Sequence, residues 1–305
     1  MSRIHEALKK AAQERSTQRV QSVTHEVMDI SVEGLAGGVK SAVNPLTEPP
    51  PALASMAPTA LPRVDQFLAR CPHPAWRIDP QLSVFGPEVR SLAGAERFRT
   101  LRSRLLQISS TQPMHRVVIS SSLPEEGKTF VVANLAQSFA RQPDRRVLMI
   151  DADMRASRLH LHFGASETPG LSDYLRGEAD ETQITQVGPE GNLCLIPGGS
   201  HVTNASELVH SERMKLLLDY MAKMFDWIIL DSPPALAVHD ASVLADMCDG
   251  VLFVVKAGST DYSVAERASL EFNKKNLLGV VLNRVKETDS YGGYYYHTGE
   301  PGKKN

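Results

Sequence analysis

The sequence predicts an α/β fold in which a mostly parallel central sheet carries helices on both faces. Two observations predict it: short apolar runs recur along the chain, and helical segments separate them. Strands in such a sheet are buried on both faces, so they are apolar along their whole length. The predicted strands cover residues 116–120, 146–151, 192–197, 227–231, 250–256 and 278–284. The predicted helices cover residues 128–141, 205–224, 240–247 and 262–275.

The first predicted strand leads into residues 121–129, which read SSLPEEGKT. Between a strand and a helix, Gly-Lys-Thr is typical of a phosphate-binding loop, in which backbone N–H groups and the helix N-terminus bind phosphate oxygens. In such a loop Lys128 neutralises phosphate charge and the Thr129 hydroxyl ligates Mg²⁺. Ser122 stands where the usual pattern has its first glycine, whereas Gly127 keeps the backbone close to phosphate. The alternative is an ordinary strand-to-helix turn that contains a glycine.

Carboxylates follow two later strands of the predicted sheet. Asp151 and Asp153 come at the end of strand 146–151, and Asp231 ends strand 227–231. Ligands bind at the carboxyl ends of the strands in an open α/β sheet, so these carboxylates should lie beside the phosphate loop. There they can hold Mg²⁺ or accept a proton from an attacking hydroxyl. Alternatively each aspartate caps the helix that follows its strand, which explains Asp151 and Asp153 together less well.

These three motifs resemble the Walker A, Walker A′ and Walker B motifs of the bacterial tyrosine kinases. The resemblance covers roughly residues 81–296, and its most diagnostic part is the Asp-x-Asp-Met-Arg element at residues 151–155. Members of this family are P-loop enzymes that autophosphorylate tyrosines and regulate polysaccharide synthesis and export. The resemblance therefore implies a P-loop NTPase fold and an ATP-dependent, Mg²⁺-requiring protein-tyrosine autokinase that regulates exopolysaccharide or capsule assembly.

The resemblance also implies a role for each matching residue. Lys128 would contact the phosphates as part of the catalytic set. The implied metal ligands are Thr129, Asp151, Asp153 and Asp231. Asp151 and Asp153 would also activate the tyrosine hydroxyl, and we predict that Asp151 is the base. The implied nucleotide-binding residues are Ser122, Glu126, Gly127, Lys128, Thr129, Phe130 and Asn283.

Two further positions leave alternatives open. Asn283 ends the last predicted strand, where the family and its relatives often contact adenine, but a turn-forming asparagine is the alternative. Arg155 follows the two aspartates and could pair with a carboxylate or contact a neighbouring subunit.

The C-terminus supplies a candidate phosphoacceptor. Four of the seven tyrosines lie in the last 15 residues, and they are Tyr291, Tyr294, Tyr295 and Tyr296. No apolar periodicity runs through this segment, and its Gly, Pro and Lys residues predict a solvated, mobile tail. Such a tail can place a hydroxyl in a pocket with little strain, and the family has a similar tyrosine cluster. The alternative is a terminus rich in Tyr and Gly that takes part in no chemistry.

A predicted subunit contact lies upstream of the phosphate loop. Glu96, Arg99 and Arg102 form Glu-x-x-Arg-x-x-Arg and share one side of a predicted helix. This resembles the family element that joins subunits in a ring, so we expect a homo-oligomer. The alternative is an exposed helical face with an ion pair worth about 0.2–0.5 kcal/mol.

The composition limits the classes of protein to which the chain can belong. The chain has 305 residues, 42% of them hydrophobic, and a formal charge of −2, which allows a large core and gives no reason to expect nucleic-acid binding. No stretch has the ~18 apolar residues of a membrane span, and the N-terminus has no apolar signal core. We therefore expect a cytoplasmic protein that is recruited to the inner face of the cell membrane. The cysteines have no metal-ligand spacing and are interpreted as reduced packing residues; they are Cys71, Cys194 and Cys248.

Four regions are expected along the chain. Residues 1–30 form an amphipathic helical segment, and residues 31–80 form a Pro- and Ala-rich linker that is extended and poorly ordered. Residues 81–287 form the P-loop kinase domain, and residues 288–305 form the tyrosine-rich tail. The opening residues also resemble family members that are encoded as separate soluble kinases with exosortase-type polysaccharide systems.

Two other functions remain as alternatives. The first is a MinD- or ParA-like switch ATPase, which has the same fold; its signature lysine is absent here, because Leu123 stands in that position. The second is a non-catalytic nucleotide-binding adaptor of a membrane assembly. Because related kinases act on envelope polysaccharide machinery, we expect a separate membrane protein, a polysaccharide co-polymerase or chain-length regulator, whose cytoplasmic segment stimulates this chain.

Overall fold

The computed structural model describes residues 64–85, 92–272 and 277–285. The predicted N-terminal helical segment, most of the predicted linker and the tyrosine-rich tail lie outside the described residues. Within the described ranges, no helix is long and apolar enough to cross a membrane.

The sheet has seven strands, and their order is β3-β4-β2-β5-β1-β6-β7. The strands are β1 (Arg116–Ser121), β2 (Val147–Asp151), β3 (Gln186–Val187), β4 (Leu193–Ile196), β5 (Trp227–Asp231), β6 (Gly250–Lys256) and β7 (Leu277–Asn283). All neighbouring pairs are parallel except β3 and β4. The predicted α/β class with a mostly parallel sheet is therefore confirmed, and the short antiparallel strand β3 is an addition to it.

Helices cover both faces of this sheet. They are α1 (Val64–Leu68), α2 (Leu92–Ser109), α3 (Lys128–Ala140), α4 (Leu159–Phe163), α5 (Leu171–Leu175), α6 (Glu181–Ile184), α7 (Ala205–Val209), α8 (Glu212–Met221), α9 (Asp240–Asp246) and α10 (Tyr262–Leu270). Alternate residues of each central strand enter one of two hydrophobic clusters, as Leu148 and Met149 do in β2. The two clusters form the cores on opposite faces of the sheet, as expected for strands buried on both faces.

The predicted helix 205–224 is wrong in one respect, because the structure divides it into α7 and α8. Ser211 between them is extended, with φ −71° and ψ 150°, and its hydroxyl accepts a hydrogen bond from the Met214 N–H. Serine in this conformation is a favoured helix N-cap. The chain therefore begins a new helix at Glu212.

The structure also differs from the predicted linker over residues 64–80. Phe67, Cys71 and Trp76 are buried. The Trp76 ring lies 5.0 Å from the Phe163 ring, centroid to centroid, and the Arg77 N–H donates to the Phe163 carbonyl at 2.7 Å. Burial of side chains this large stabilises the fold, so this segment belongs to the folded domain.

The three cysteines carry free thiols, in agreement with the sequence prediction. The Cys71 thiol donates to the Phe67 carbonyl at 3.3 Å, and burial raises its pKa to about 11. Burial also raises the pKa of Cys194 and of Cys248. Thiols of this kind are packing residues and poor nucleophiles.

Candidate active site

The loop between β1 and α3 has the backbone of an anion-binding turn. Gly127, the residue before α3, has φ +95°, and Glu125 has φ +61°. Gly127 must be a glycine for a second reason, because a Cβ atom there would overlap the side-chain amide of Asn283. The N-terminus of a helix that follows such a loop presents unpaired N–H groups, which are suited to phosphate oxygens.

A cavity of about 1800 Å³ opens at the carboxyl edge of the sheet around this loop. Six residues of the predicted site line it, and they are Gly127, Lys128, Thr129, Phe130, Asp153 and Asn283. The side chain of Lys128 is largely buried in its wall, and its charge opposes the rise that burial causes in the pKa of Asp153 and of Asp231. The structure therefore brings the phosphate loop and the carboxylates together, as the sheet topology predicts.

Asp151 lies beneath this cavity and is fully buried at the end of β2. Its carboxylate accepts hydrogen bonds from the N–H groups of Asp153 (3.2 Å), Arg158 (3.0 Å) and Leu159 (2.9 Å) and from the Ser157 hydroxyl (2.9 Å). These donors belong to the turn that leads into α4. Asp151 thus closes that turn and accepts a hydrogen bond from the first N–H of α4, although the N-cap residue of this helix is Arg158.

Asp231 is the partner of Asp151 in the register of β2 and β5 and is 2% exposed. Burial, together with the neighbouring Asp151 charge, raises the pKa of Asp231 to about 8. Burial raises the pKa of Asp151 to about 6, against the hydrogen bonds that it accepts. Two carboxylates side by side in a low-dielectric site disfavour each other's ionisation unless a cation joins them.

The environment of Asp231 fits a divalent cation. The Thr129 hydroxyl donates to its carboxylate, and the second oxygen, Oδ1, is buried without a hydrogen-bond partner. The described residues hold no group of three or more His, Cys, Asp or Glu side chains that could ligate a metal by themselves. A Mg²⁺ ion here would therefore take its other ligands from the Thr129 hydroxyl, phosphate oxygens and water, the ligand set that Mg²⁺ prefers.

Replacing Asp231 with Asn is expected to stabilise the nucleotide-free chain at alkaline pH. A carboxyl whose folded pKa is raised binds protons more tightly in the native state, so the contribution of Asp231 to stability is largest near pH 4 and is lost as the pH rises through about 8. Asp231→Asn should raise the melting temperature at pH 8 and flatten its fall with pH. For a domain of this size, about 1 kcal/mol corresponds to roughly 2–4 °C.

Differential scanning fluorimetry from pH 4 to 8 measures this effect. Glu190→Gln is the matched control, because Glu190 is an exposed carboxylate away from the site. An Asp231→Asn chain that melts at or below the wild-type temperature at pH 8 would contradict the expectation.

Asp153 differs from both of these carboxylates because it faces the cavity. It lines the wall, is partly exposed, and accepts hydrogen bonds from the backbone N–H groups of Ala156, at 3.2 Å, and of Arg155. Burial raises the pKa of Asp153, and the nearby Lys128 charge opposes that shift. Of the three aspartates, Asp153 is the one that a bound substrate can reach.

Arg155 pairs with a carboxylate, one of its two alternatives. Its Nε lies 3.6 Å from Oδ2 of the buried Asp240, and its Nη2 donates to the Ser206 hydroxyl at 2.8 Å. The Ser206 hydroxyl in turn donates to Asp240 at 2.5 Å. This network ties the Asp-x-Asp-Met-Arg segment to α7 and α9. No local sequence pattern predicts the role of Asp240, because its partner Arg155 lies 85 residues away.

Three residues predicted to bind nucleotide have side chains that are buried or engaged within the protein. The Ser122 hydroxyl is buried without a hydrogen-bond partner, and the Glu126 carboxylate is buried beneath the loop. The Asn283 amide donates to the Glu126 carbonyl at 2.8 Å and accepts from the Arg284 N–H at 2.9 Å. In this structure the Glu126 and Asn283 side chains hold the loop in shape. The loop therefore contacts phosphate through its main-chain N–H groups rather than through these side chains.

The predicted interface residues do not share one exposed side. Arg99 and Glu96 form an exposed ion pair of 3.1 Å on α2. Arg102 instead lies between the buried Phe98 and Leu105, and its Nη1 donates to the Ser138 carbonyl at 2.5 Å. Arg102 therefore joins α2 to α3 within one subunit, and the subunit contact remains a prediction for Glu96, Arg99 and Arg102.

Comparisons with known proteins bear on these features. The family described as "AAA domain" matches residues 117–266. The chain is 36% identical over 211 residues to tyrosine-protein kinase YwqD of Bacillus subtilis strain 168, a match that covers 68% of this chain and 88% of that protein. It is 34% identical over 198 residues to tyrosine-protein kinase etk of Escherichia coli strain K12, covering 63% of this chain and 27% of that protein. The chain thus spans little more than a quarter of the longer relative.

Solved structures give the same result. The kinase domain of Escherichia coli tyrosine kinase ETK is 32% identical with a TM-score of 0.59, covering 65% of this chain and 80% of that one. The cell division ATPase MinD of Pyrococcus furiosus is 25% identical with a TM-score of 0.50, covering 58% of this chain and 75% of that one. Both measures favour the kinases over the switch ATPases. By its match to YwqD and to the ETK kinase domain, the chain belongs to the bacterial tyrosine-protein kinase family.

Proposed function

We propose that this chain is an ATP-dependent protein-tyrosine autokinase that phosphorylates its own C-terminal tyrosine cluster. The observation that carries the proposal is the pairing of Lys128 and Asp153 on one wall of the cavity at the phosphate loop. Lys128 provides positive charge for a nucleotide phosphate, and Asp153 provides an accessible carboxylate beside it. An acidic group beside a phosphate loop is suited to accepting the proton of an attacking hydroxyl.

The chemistry follows from these positions. The loop N–H groups and Lys128 hold the phosphates of ATP. Thr129 and Asp231 would hold Mg²⁺, which would supply positive charge to the phosphates when bound. A tyrosine oxygen attacks the γ-phosphorus, the bond to the ADP oxygen breaks, and the phenol proton passes to Asp153. We assign the base to Asp153 in preference to Asp151, because Asp151 already accepts four hydrogen bonds and is buried.

The end of the described chain supports the tail as acceptor. Val285 lines the cavity, and Tyr291 follows six residues later. Six residues of extended chain span at most about 20 Å. The chain is therefore long enough for a tail tyrosine to reach the cavity of its own subunit. Phosphorylation of the tail of a neighbouring subunit is the alternative arrangement.

Tyrosine phosphorylation after incubation with MgATP tests this proposal. We expect mass spectrometry to find phosphate on the tail of the wild-type chain and none there when the four tail tyrosines are changed to Phe; they are Tyr291, Tyr294, Tyr295 and Tyr296. The described tyrosines Tyr174, Tyr220 and Tyr262 serve as internal controls, because both chains retain them. A wild-type chain that hydrolyses ATP but carries no phosphotyrosine would contradict the proposal and favour the switch ATPase.

We further propose that a separate membrane protein stimulates the kinase and recruits it from the cytoplasm to the inner face of the membrane. The resemblance to the bacterial tyrosine kinases, which regulate polysaccharide synthesis and export, supports this proposal. The expected partner is the cytoplasmic segment of a polysaccharide co-polymerase, and the expected role is control of exopolysaccharide or capsule export. The same mass-spectrometric assay tests the partner: tail phosphorylation that co-expression of the co-polymerase leaves unchanged would count against it.

A further inference from the structure

Glu126 is an unexpected residue in a loop that binds anions. Its carboxylate lies in the phosphate loop next to Gly127, yet only 2% of the residue is exposed. A negative group this close to a phosphate would repel it unless the carboxylate pointed away and met donors of its own. In the structure the Glu126 carboxylate does not line the cavity, and it accepts hydrogen bonds from donors elsewhere in the protein. Those donors indicate its role.

The Glu126 carboxylate joins the phosphate loop to the end of β6. Oε2 accepts a hydrogen bond from the Leu123 N–H at 2.7 Å, which closes the turn within the loop. Oε1 accepts a short hydrogen bond from the Thr260 hydroxyl and a longer one from the Lys256 N–H at 3.4 Å. Lys256 ends β6 and Thr260 follows it, so the carboxylate fastens the loop to the neighbouring strand.

The same residue is held a second time through its main chain. The Glu126 carbonyl accepts from the Asn283 amide at 2.8 Å, and Asn283 ends β7. The loop therefore receives support from the carboxyl ends of both β6 and β7. This support matters because Glu125 has φ +61°, a conformation that a non-glycine residue adopts only when its surroundings impose it.

We propose that Glu126 is a positioning residue, which, through its hydrogen bond with Thr260, holds the phosphate loop in the conformation that binds nucleotide. The inference rests on the proposed nucleotide site and adds to it a residue 134 positions away, Thr260, that does not line the cavity. When Thr260 cannot donate, Oε1 of Glu126 keeps only the longer hydrogen bond from the Lys256 N–H, and the loop is held less firmly in the conformation that directs its N–H groups toward phosphate.

Binding of MgADP to the full chain tests this inference. Isothermal titration calorimetry would compare the wild type with Thr260→Val, which keeps the shape but removes the hydroxyl, and with Thr260→Ser, which keeps the hydroxyl. Because hydrogen bonds to charged groups are among the stronger ones, we expect Thr260→Val to weaken MgADP binding about tenfold. Thr260→Ser should bind like the wild type. Ser259→Ala is the matched control, because Ser259 is the exposed neighbour of Thr260.

The outcomes separate this inference from the function on which it rests. Weaker binding by Thr260→Val alone, at an unchanged melting temperature, supports the positioning role. Equal affinities for Thr260→Val and wild type would overturn it, as would an equal loss in Thr260→Val and Thr260→Ser. A wild-type chain that binds no MgADP would overturn the proposed function and this inference with it.

Discussion

Changing Lys128 to Met is expected to reduce tyrosine phosphorylation by roughly 100- to 1000-fold, the usual loss when one preorganised charge-stabilising group is removed. Lys128 is 7% exposed, and its charge opposes the rise that burial causes in the pKa of Asp153 and of Asp231. Its removal therefore takes away the cation that faces the phosphates and also favours protonation of the proposed base and metal ligand. Both effects act on the same step and in the same direction.

Mass spectrometry of the tail after a timed incubation with MgATP measures this loss. Lys223→Met is the matched control, because Lys223 is exposed in the turn after α8. Circular dichroism should show that the Lys128→Met chain is folded. A folded Lys128→Met chain that keeps more than a tenth of the wild-type rate would exclude the proposed role of Lys128.

Alanine at Asp153 and alanine at Asp151 are expected to have different effects. Asp153→Ala should lower the phosphorylation rate by about 10²–10⁴-fold, the range for a lost general base, with little change in stability. Asp151→Ala removes the acceptor of three backbone N–H groups and one hydroxyl. Each buried group left unpaired costs about 1–3 kcal/mol, so this chain should unfold at lower denaturant concentration.

Urea unfolding and the phosphorylation rate, measured on the same preparations, distinguish the two carboxylates. The expected pattern is an inactive and stable Asp153→Ala chain beside a destabilised Asp151→Ala chain. The reverse pattern, in which Asp153→Ala is active and Asp151→Ala is folded but inactive, would restore Asp151 as the base.

The position of the site could be predicted because sheet topology fixes it. Strand ends are visible as apolar runs followed by Asp or Gly, and parallel strands bring those ends to one edge. For this reason Lys128, Thr129, Asp153 and Asp231 lie together, as predicted. The observed strand β5 has the predicted bounds, Trp227–Asp231.

The direction of individual side chains could not be predicted in the same way. The alternation of an extended strand would aim Asp151 and Asp153 to one side, but β2 ends at Asp151 and the chain turns there. The positive φ angles of Glu125 and Gly127 likewise accompany a Glu126 side chain that does not line the cavity. Its partner Thr260 is 134 residues distant, and no local pattern indicates such a contact.

The predicted linker is wrong over residues 64–80 for a different reason. Pro-rich composition indicates a linker over a long window, yet single large apolar residues such as Phe67 and Trp76 decide whether a segment packs. A composition averaged over a long window does not show the effect of such single residues.

The packing of Trp76 against Phe163 has a practical consequence for work with fragments of this protein. Tolerance to truncation depends on the burial of the part removed, not on its distance from the chemistry. A fragment cut at residue 81, where the predicted kinase domain begins, would leave the faces that receive Phe67 and Trp76 open to water. The smallest well-behaved kinase fragment should therefore begin before Val64, although every residue assigned to phosphoryl transfer lies after it.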